Sequence, residues 1–186
     1  MACDLTQGRK VPCKDVVGGL VRAWFVDFGD LGTVTESGDQ ITDMTGTFTA
    51  FQYDLHGTNS FEQTITSSRE NGTTFFEQSI SLQFPKLSKE DNAELKLMAY
   101  GRPHICLEDR NGNFMQFGLV HGCEVSGGTI ASGAAFGDLS GYTLTFTAQE
   151  AKPANFIQSA TSADPYAGMS SATVTVTVFS NSPFLS

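Results

Sequence analysis

The chain has 186 residues, with 11 basic and 20 acidic side chains and a formal net charge of −9. That balance argues against a groove that grips nucleic-acid phosphates, which needs clustered Lys and Arg. No apolar run approaches the ~18 residues of a membrane-spanning helix, and the first ten residues lack the apolar stretch of a secretory signal.

The four cysteines are Cys3, Cys13, Cys106 and Cys123. Without an export signal a reducing compartment is expected, so disulfides are not. The low charged fraction of 17%, the 15 Phe and 19 Gly, and the many Thr and Ser lean towards β structure.

In chain order, residues 1–18 are polar and punctuated by Gly and Pro, and read as an arm or entry loop. Gly19–Phe28, with Trp24, Phe25, Val26 and Phe28, reads as a first strand. Gly29–Gly46 is acidic and Gly-rich and holds short strand pieces at most, and Thr47–Leu55 reads as a strand of mixed pattern.

Asn59–Phe84 is the most informative stretch. Phe61-Glu62-Gln63-Thr64-Ile65 is nearly repeated as Phe76-Glu77-Gln78-Ser79-Ile80, and Asn71-Gly72 between them is a hairpin-turn signal. On the second strand Phe76, Gln78, Ile80, Leu82 and Phe84 share one face, and Glu77, Ser79, Ser81 and Gln83 share the other. The expected hairpin has one greasy face and one acidic, hydroxyl-rich face, the usual state of an antiparallel sheet covered on one side.

A helix is predicted over Lys89–Tyr100, with Ser88 as N-cap, Asp91 at the capping-box position, Gly101 at C′ and Pro103 beyond. Leu95, Met98 and Ala99 form one apolar strip, and Ala93, Leu97 and Tyr100 form a second, rotated one. So wide a band predicts that the helix packs on its own sheet and also meets a second surface.

His104–Asp109 and Asn113–Val120 read as a hairpin around Asn111-Gly112 that sets Cys106 opposite Phe117. Glu124–Gly141 reads as a long loop, Tyr142–Ala148 as an alternating strand, Gln149–Gly168 as a linker, and Ser171–Phe179 as a last strand. That strand either closes its own sheet or reaches a neighbouring subunit by β-augmentation. The expected fold is mainly β, an antiparallel sandwich or barrel of seven to nine strands with one flanking α-helix and a long hairpin.

Chemistry finds few footholds. There is no Gly-x-Ser-x-Gly elbow, since Ser140 stands one place late in Gly137-Asp138-Leu139-Ser140-Gly141, and no phosphate or dinucleotide loop. His104-Ile105-Cys106 and His121-Gly122-Cys123 are two His-x-Cys pairs of zinc-ligand type. Their spacing is no known ligand signature, and Cys106 as a core residue with Cys123 starting a loop is the preferred reading. Glu62 and Glu77 on one wet face offer three alternatives: a solvated surface, a glycosidase-like pair, or an acidic surface that a polyanion slides past.

The run Thr58-Asn59-Ser60-Phe61-Glu62-Gln63 through Arg69-Glu70-Asn71-Gly72-Thr73-Thr74-Phe75-Phe76-Glu77-Gln78, the helix Leu87–Tyr100, Gly101-Arg102-Pro103-His104 with the Asn-Gly hairpin, and the finish Gly137-Asp138-Leu139-Ser140-Gly141-Tyr142 resemble tail tube (major tail) proteins of tailed bacteriophages. The resemblance covers roughly residues 15–157. It implies a tail-tube-like β domain over 1–157, with 158–186 as a linker and C-terminal strand extension.

It also implies a non-enzymatic structural virion protein, without catalytic, cofactor or metal residues. Such a protein is made in the host bacterial cytoplasm and sits in the tail as stacked hexameric rings, beside other tail proteins. DNA passes through the rings without specific binding, and no membrane is involved. On that reading Glu62 and Glu77 face the lumen, and Ala93, Leu97 and Tyr100 form an inter-subunit helix face. Related folds serve as terminators, hubs and connector rings, and a capsid-decorating or carbohydrate-binding β-sandwich is the alternative from another class.

Overall fold

The structure is a computed structural model that describes Lys14 and residues 16–178. Cys3, Cys13, most of the expected N-terminal arm and Phe179 lie outside the described residues. Among the described residues the fold is mainly β, with one helix.

The strands are β1 (Leu20–Val26), β2 (Val34–Ser37), β3 (Gln40–Met44), β4 (Gly46–Asp54), β5 (Ser60–Ser68) and β6 (Thr73–Pro85) before the helix α1 (Lys89–Tyr100). After it come β7 (His104–Asp109), β8 (Phe114–Phe117), β9 (Glu124–Ala131), β10 (Gly141–Glu150), β11 (Asn155–Ile157) and β12 (Ala172–Val178). Eight strands form one sheet in the order β12-β4-β1-β7-β8-β11-β3-β2, and four form a second in the order β5-β6-β10-β9.

The large sheet is buried on both faces along its middle. Ala23 and Phe25 of β1, Ile105 and Leu107 of β7, and Met115 and Phe117 of β8 face the small sheet, meeting Ile80, Leu82, Leu144 and Phe146. The alternate residues Trp24, Val26, Cys106 and Phe114 join a second core with Ile41, Met44, Phe48 and Ala50. Burial on both sides is why these strands read as continuous apolar runs instead of alternating ones.

Topology forces the large sheet to curl. β3 and β4 are joined by Thr45 alone, yet four strands lie between them. In a flat sheet five strand spacings of about 4.8 Å would part them by about 24 Å, far beyond one residue's reach. The corner is fixed by bonds from the Gly32 amide to the Thr45 carbonyl at 2.9 Å and from the Thr45 amide to the Thr33 carbonyl at 3.0 Å. Gly46 turns it at φ 121°, and a Cβ there would stand 3.1 Å from the Asp30 carbonyl oxygen, so a larger residue would be strained.

The residues after β11 fill the hollow of this curl. Gln149–Gly168, expected as a linker, instead holds the end of β10 and all of β11, and residues 158–171 bury Tyr166 and Met169 in the second core. Asp43 anchors their end, its Oδ2 accepting from the Ser170 and Ser171 hydroxyls at 3.0 and 2.7 Å. β12 then pairs in parallel with β4 of the same chain from Ala172↔Gly46 to Val178↔Gln52, so the last strand completes its own sheet.

Further expectations are corrected. Glu124–Gly141 is not a loop throughout: β9 occupies Glu124–Ala131 and pairs with β10, and only Ser132–Ser140 connects them. It is an exposed edge strand with Ser-Gly-Gly-Thr at its middle, held by backbone bonds, so no hydrophobic period announces it. Cys106 opposes Gln116, with Ile105 opposite Phe117, one place from the expected register. The helix has its expected bounds and N-cap, the Ser88 hydroxyl accepting from the Asp91 amide at 3.0 Å, and Gly101 ends it in extended backbone at φ −89°.

Candidate assembly and conduit surfaces

The outward face of the four-stranded sheet carries the first candidate site. β5 and β6 pair with Glu62 opposite Ser79 and Thr64 opposite Glu77. The two acids are therefore diagonal neighbours, each opposite a hydroxyl, which relieves the repulsion of directly opposed carboxylates. β10 adds Thr143, Thr145, Thr147 and Gln149 to this face, with Thr147 opposite Glu124 of β9 and Gln149 opposite Glu77.

None of the chain's 11 Lys and Arg falls in these four strands. Glu124 is a third acid on the face that sequence reasoning missed, because it sat in an expected loop. Its pairing partner on an alternating strand is the signal that could have found it. A cleft of about 520 Å³ opens at one end, lined by Glu77, Glu124, Thr147, Gln149, Arg102 and His121. Of the two predicted acids only Glu77 lines it, so Glu62 and Glu77 do not flank one substrate-sized cleft as a glycosidase pair would.

Among the described residues, both borders of this sheet are open. β5 and β9 each have one sheet partner, and neither contains Pro or Lys, the common devices that blunt an edge. Their unpaired backbone groups can accept another strand.

The helix carries the second candidate surface. Leu95 is buried in the main core and Met98 packs against it. Ala93, Leu97 and Tyr100 are exposed, Leu97 at 65% and Tyr100 at 82%, and Ala99 of the first strip is exposed as well. Beside Leu97 a groove of about 260 Å³ runs between the helix and the ends of β1 and β4, floored by Phe25, Phe51, Met98 and Pro103. At its end the Arg102 guanidinium lies 4.2 Å from the Phe28 ring centroid, and the other stacking partner of Phe28 is His104 at 5.3 Å.

The His-x-Cys pairs are kept apart. Cys106 lies in the second core and Cys123 in the first, on opposite sides of the large sheet. Burial pushes both thiols up, away from the thiolate that binds metal or attacks carbon. His104 is buried, its Nδ1 2.6 Å from the Gly118 carbonyl oxygen, and desolvation lowers its pKa, whereas His121 is exposed. Among the described residues no three His, Cys, Asp or Glu side chains converge as a metal centre requires, and no helix is long and apolar enough to cross a membrane.

The remaining buried carboxylates are structural. Glu108 accepts from Arg22 Nη1 at 2.9 Å and from the Ser162 hydroxyl at 2.6 Å, and Glu150 Oε1 accepts the Val120 and His121 amides at 2.9 and 2.8 Å. The first ties residue 162 onto the large sheet and the second closes the turn after β8. Comparison of the chain with protein-family models, curated proteins and solved structures finds no match.

Proposed function

We propose that this protein is a structural virion component that assembles into stacked, hexameric rings of a phage tail tube and conducts DNA without binding it. The observation that carries the reading is the outward face of the four-stranded sheet. It displays Glu62, Glu77 and Glu124 among hydroxyls, with no basic residue in its strands.

Carboxylates repel phosphates within the ~8 Å screening length of physiological salt, so the strands of such a face let a polyanion slide, and Arg102 in the end cleft stands beside Glu77 and Glu124. The open edges β5 and β9 support the ring, because edge pairing between copies would carry the sheet around a central hole. The exposed Leu97 and Tyr100 support a further contact between neighbours. Hexamer order and the tail station come from the resemblance of residues 15–157.

The test is negative-stain imaging with light scattering across a range of concentrations. Rings with a central hole, or tubes of constant repeat, are expected. A strictly monomeric particle at high concentration would refute the assembly and bring forward the decorating or carbohydrate-binding sandwich.

A further inference from the structure

The most exposed large hydrophobic side chain among the described residues is Phe136, at 114% of its reference surface. It stands at the crest of the Ser132–Ser140 connection, where an apolar ring in full contact with water is costly. The crest is built. Asp138 Oδ2 accepts the Ala134 and Ala135 amides at 2.9 and 2.8 Å, and the Asp138 amide donates to the Ala135 carbonyl at 3.1 Å. These bonds also hold the Asp138 carboxyl below its usual pKa, so it is charged at neutral pH.

Elsewhere on the same chain the groove beside α1 offers the complement. Its volume of about 260 Å³ accommodates one aromatic side chain, and its floor is Phe25, Phe51, Met98 and Pro103, with Leu97 on the rim. The charges match at one end. Arg102 borders the groove and has no carboxylate partner among the described ion pairs, its guanidinium resting on Phe28. Asp138, two residues from Phe136, supplies that partner. Asp27 and Glu94 also line the groove, so Asp138 is favoured there only where it meets Arg102 directly.

We infer that Phe136 of one copy seats in the α1 groove of a second copy, with Asp138 pairing to Arg102. Knob and groove are different surfaces, so the contact is heterologous and propagates into a closed ring or an open filament instead of stopping at a dimer. A buried aromatic contributes ~150–250 Å², well short of the ~1,200–2,000 Å² of a stable interface. The knob is therefore an anchor within a larger contact. The inference rests on the self-assembly proposed above and names side chains for it.

The experiment uses the full chain with Phe136→Ala as knobless variant and Leu97→Asp as grooveless variant, both at exposed positions. Sedimentation velocity reads size and thermal unfolding verifies the fold. Each variant alone is expected to lose higher assemblies, and their equimolar mixture to stop at heterodimers, because one knob and one groove remain between them. A Phe136→Cys, Leu97→Cys chain is expected to form intermolecular disulfides on oxidation. Wild-type assemblies with both variants assembling equally well would overturn the knob and leave the ring reading intact. A wild-type chain that stays monomeric would overturn both.

Discussion

Truncating Tyr166 tests whether residues 158–171 belong to the cooperative fold or merely trail across it. The side chain is 1% exposed, meets Phe48 edge-on at 5.2 Å, and donates its hydroxyl to Gln116 Oε1 at 2.7 Å. Removing a buried aromatic costs about 3–5 kcal/mol. For a chain of this size each kcal/mol is about 2–4 °C of melting temperature. Tyr166→Ala is thus expected to lower the Tm by about 6–20 °C.

Tyr166→Phe keeps the ring and strands the buried Gln116 oxygen, for about 1–2 kcal/mol. Scanning calorimetry gives the Tm, and urea titration separates lost stability from changed compactness, because an unchanged m with a lower midpoint reports stability alone. A Tyr166→Ala chain melting within a degree or two of wild type would refute the reasoning and return 158–171 to the status of an appendage.

Three other outcomes are expected. Hydrogen bonds from Ser171 and Ser170 pull the Asp43 carboxyl down to about 2 from its ordinary 3.8, so the stability it lends is present above pH 3.8 and lost as pH falls towards 2; Asp43→Asn should flatten the melting profile in that window. Gly118 sits at φ 60°, and a Cβ there would lie 2.7 Å from Cys123 Sγ, so Gly118→Ala should cost at least the ~1–2 kcal/mol of a left-handed L-residue, read from the urea midpoint. Glu62→Lys with Glu77→Lys turns an all-acidic face net positive; rings should still form, DNA should be retained in a gel shift that salt abolishes, and DNA exit should slow, whereas unchanged exit would sink the conduit reading.

What the sequence revealed depended on where water lies. β6 and β10 alternate because one side faces the core and the other solvent, and their faces were read residue by residue. The helix was legible from Ser88, Asp91 and Gly101, which act locally. β9 was not, because the backbone of β10 makes it a strand while its middle is Ser-Gly-Gly-Thr and all of it but Val125 is exposed.

Tyr166 and Met169 were hidden in a Pro-, Ser- and Ala-rich stretch. Their burial depends on a hollow created where the curl of the sheet brings β3 and β4 together across four intervening strands, which no local window contains. Phe136 gave no signal either, since one aromatic among small residues reads as incidental until its exposure and the groove beside Leu97 are seen together.

The two sheets divide the physics between them. The large sheet is buried on both faces along its middle, and its exposed parts lie at its margins, in β2 and β12 and in the groove beside α1. The small sheet has one covered face, one wet face and two open edges. Either exposed feature alone is a burden to a solitary chain: open edges invite indiscriminate pairing, and a face of one sign repels itself. Alternating hydroxyls with acids eases the second burden, which is why Glu62 and Glu77 sit opposite Ser79 and Thr64 and not opposite each other. Only another strand relieves the first. Under the proposed assembly the edges are paired by copies of the same chain, and the acidic face then encloses a space in which its sign is useful, because the strands themselves offer a polyanion in transit no counter-charge and Arg102 at their end shares its cleft with Glu77 and Glu124.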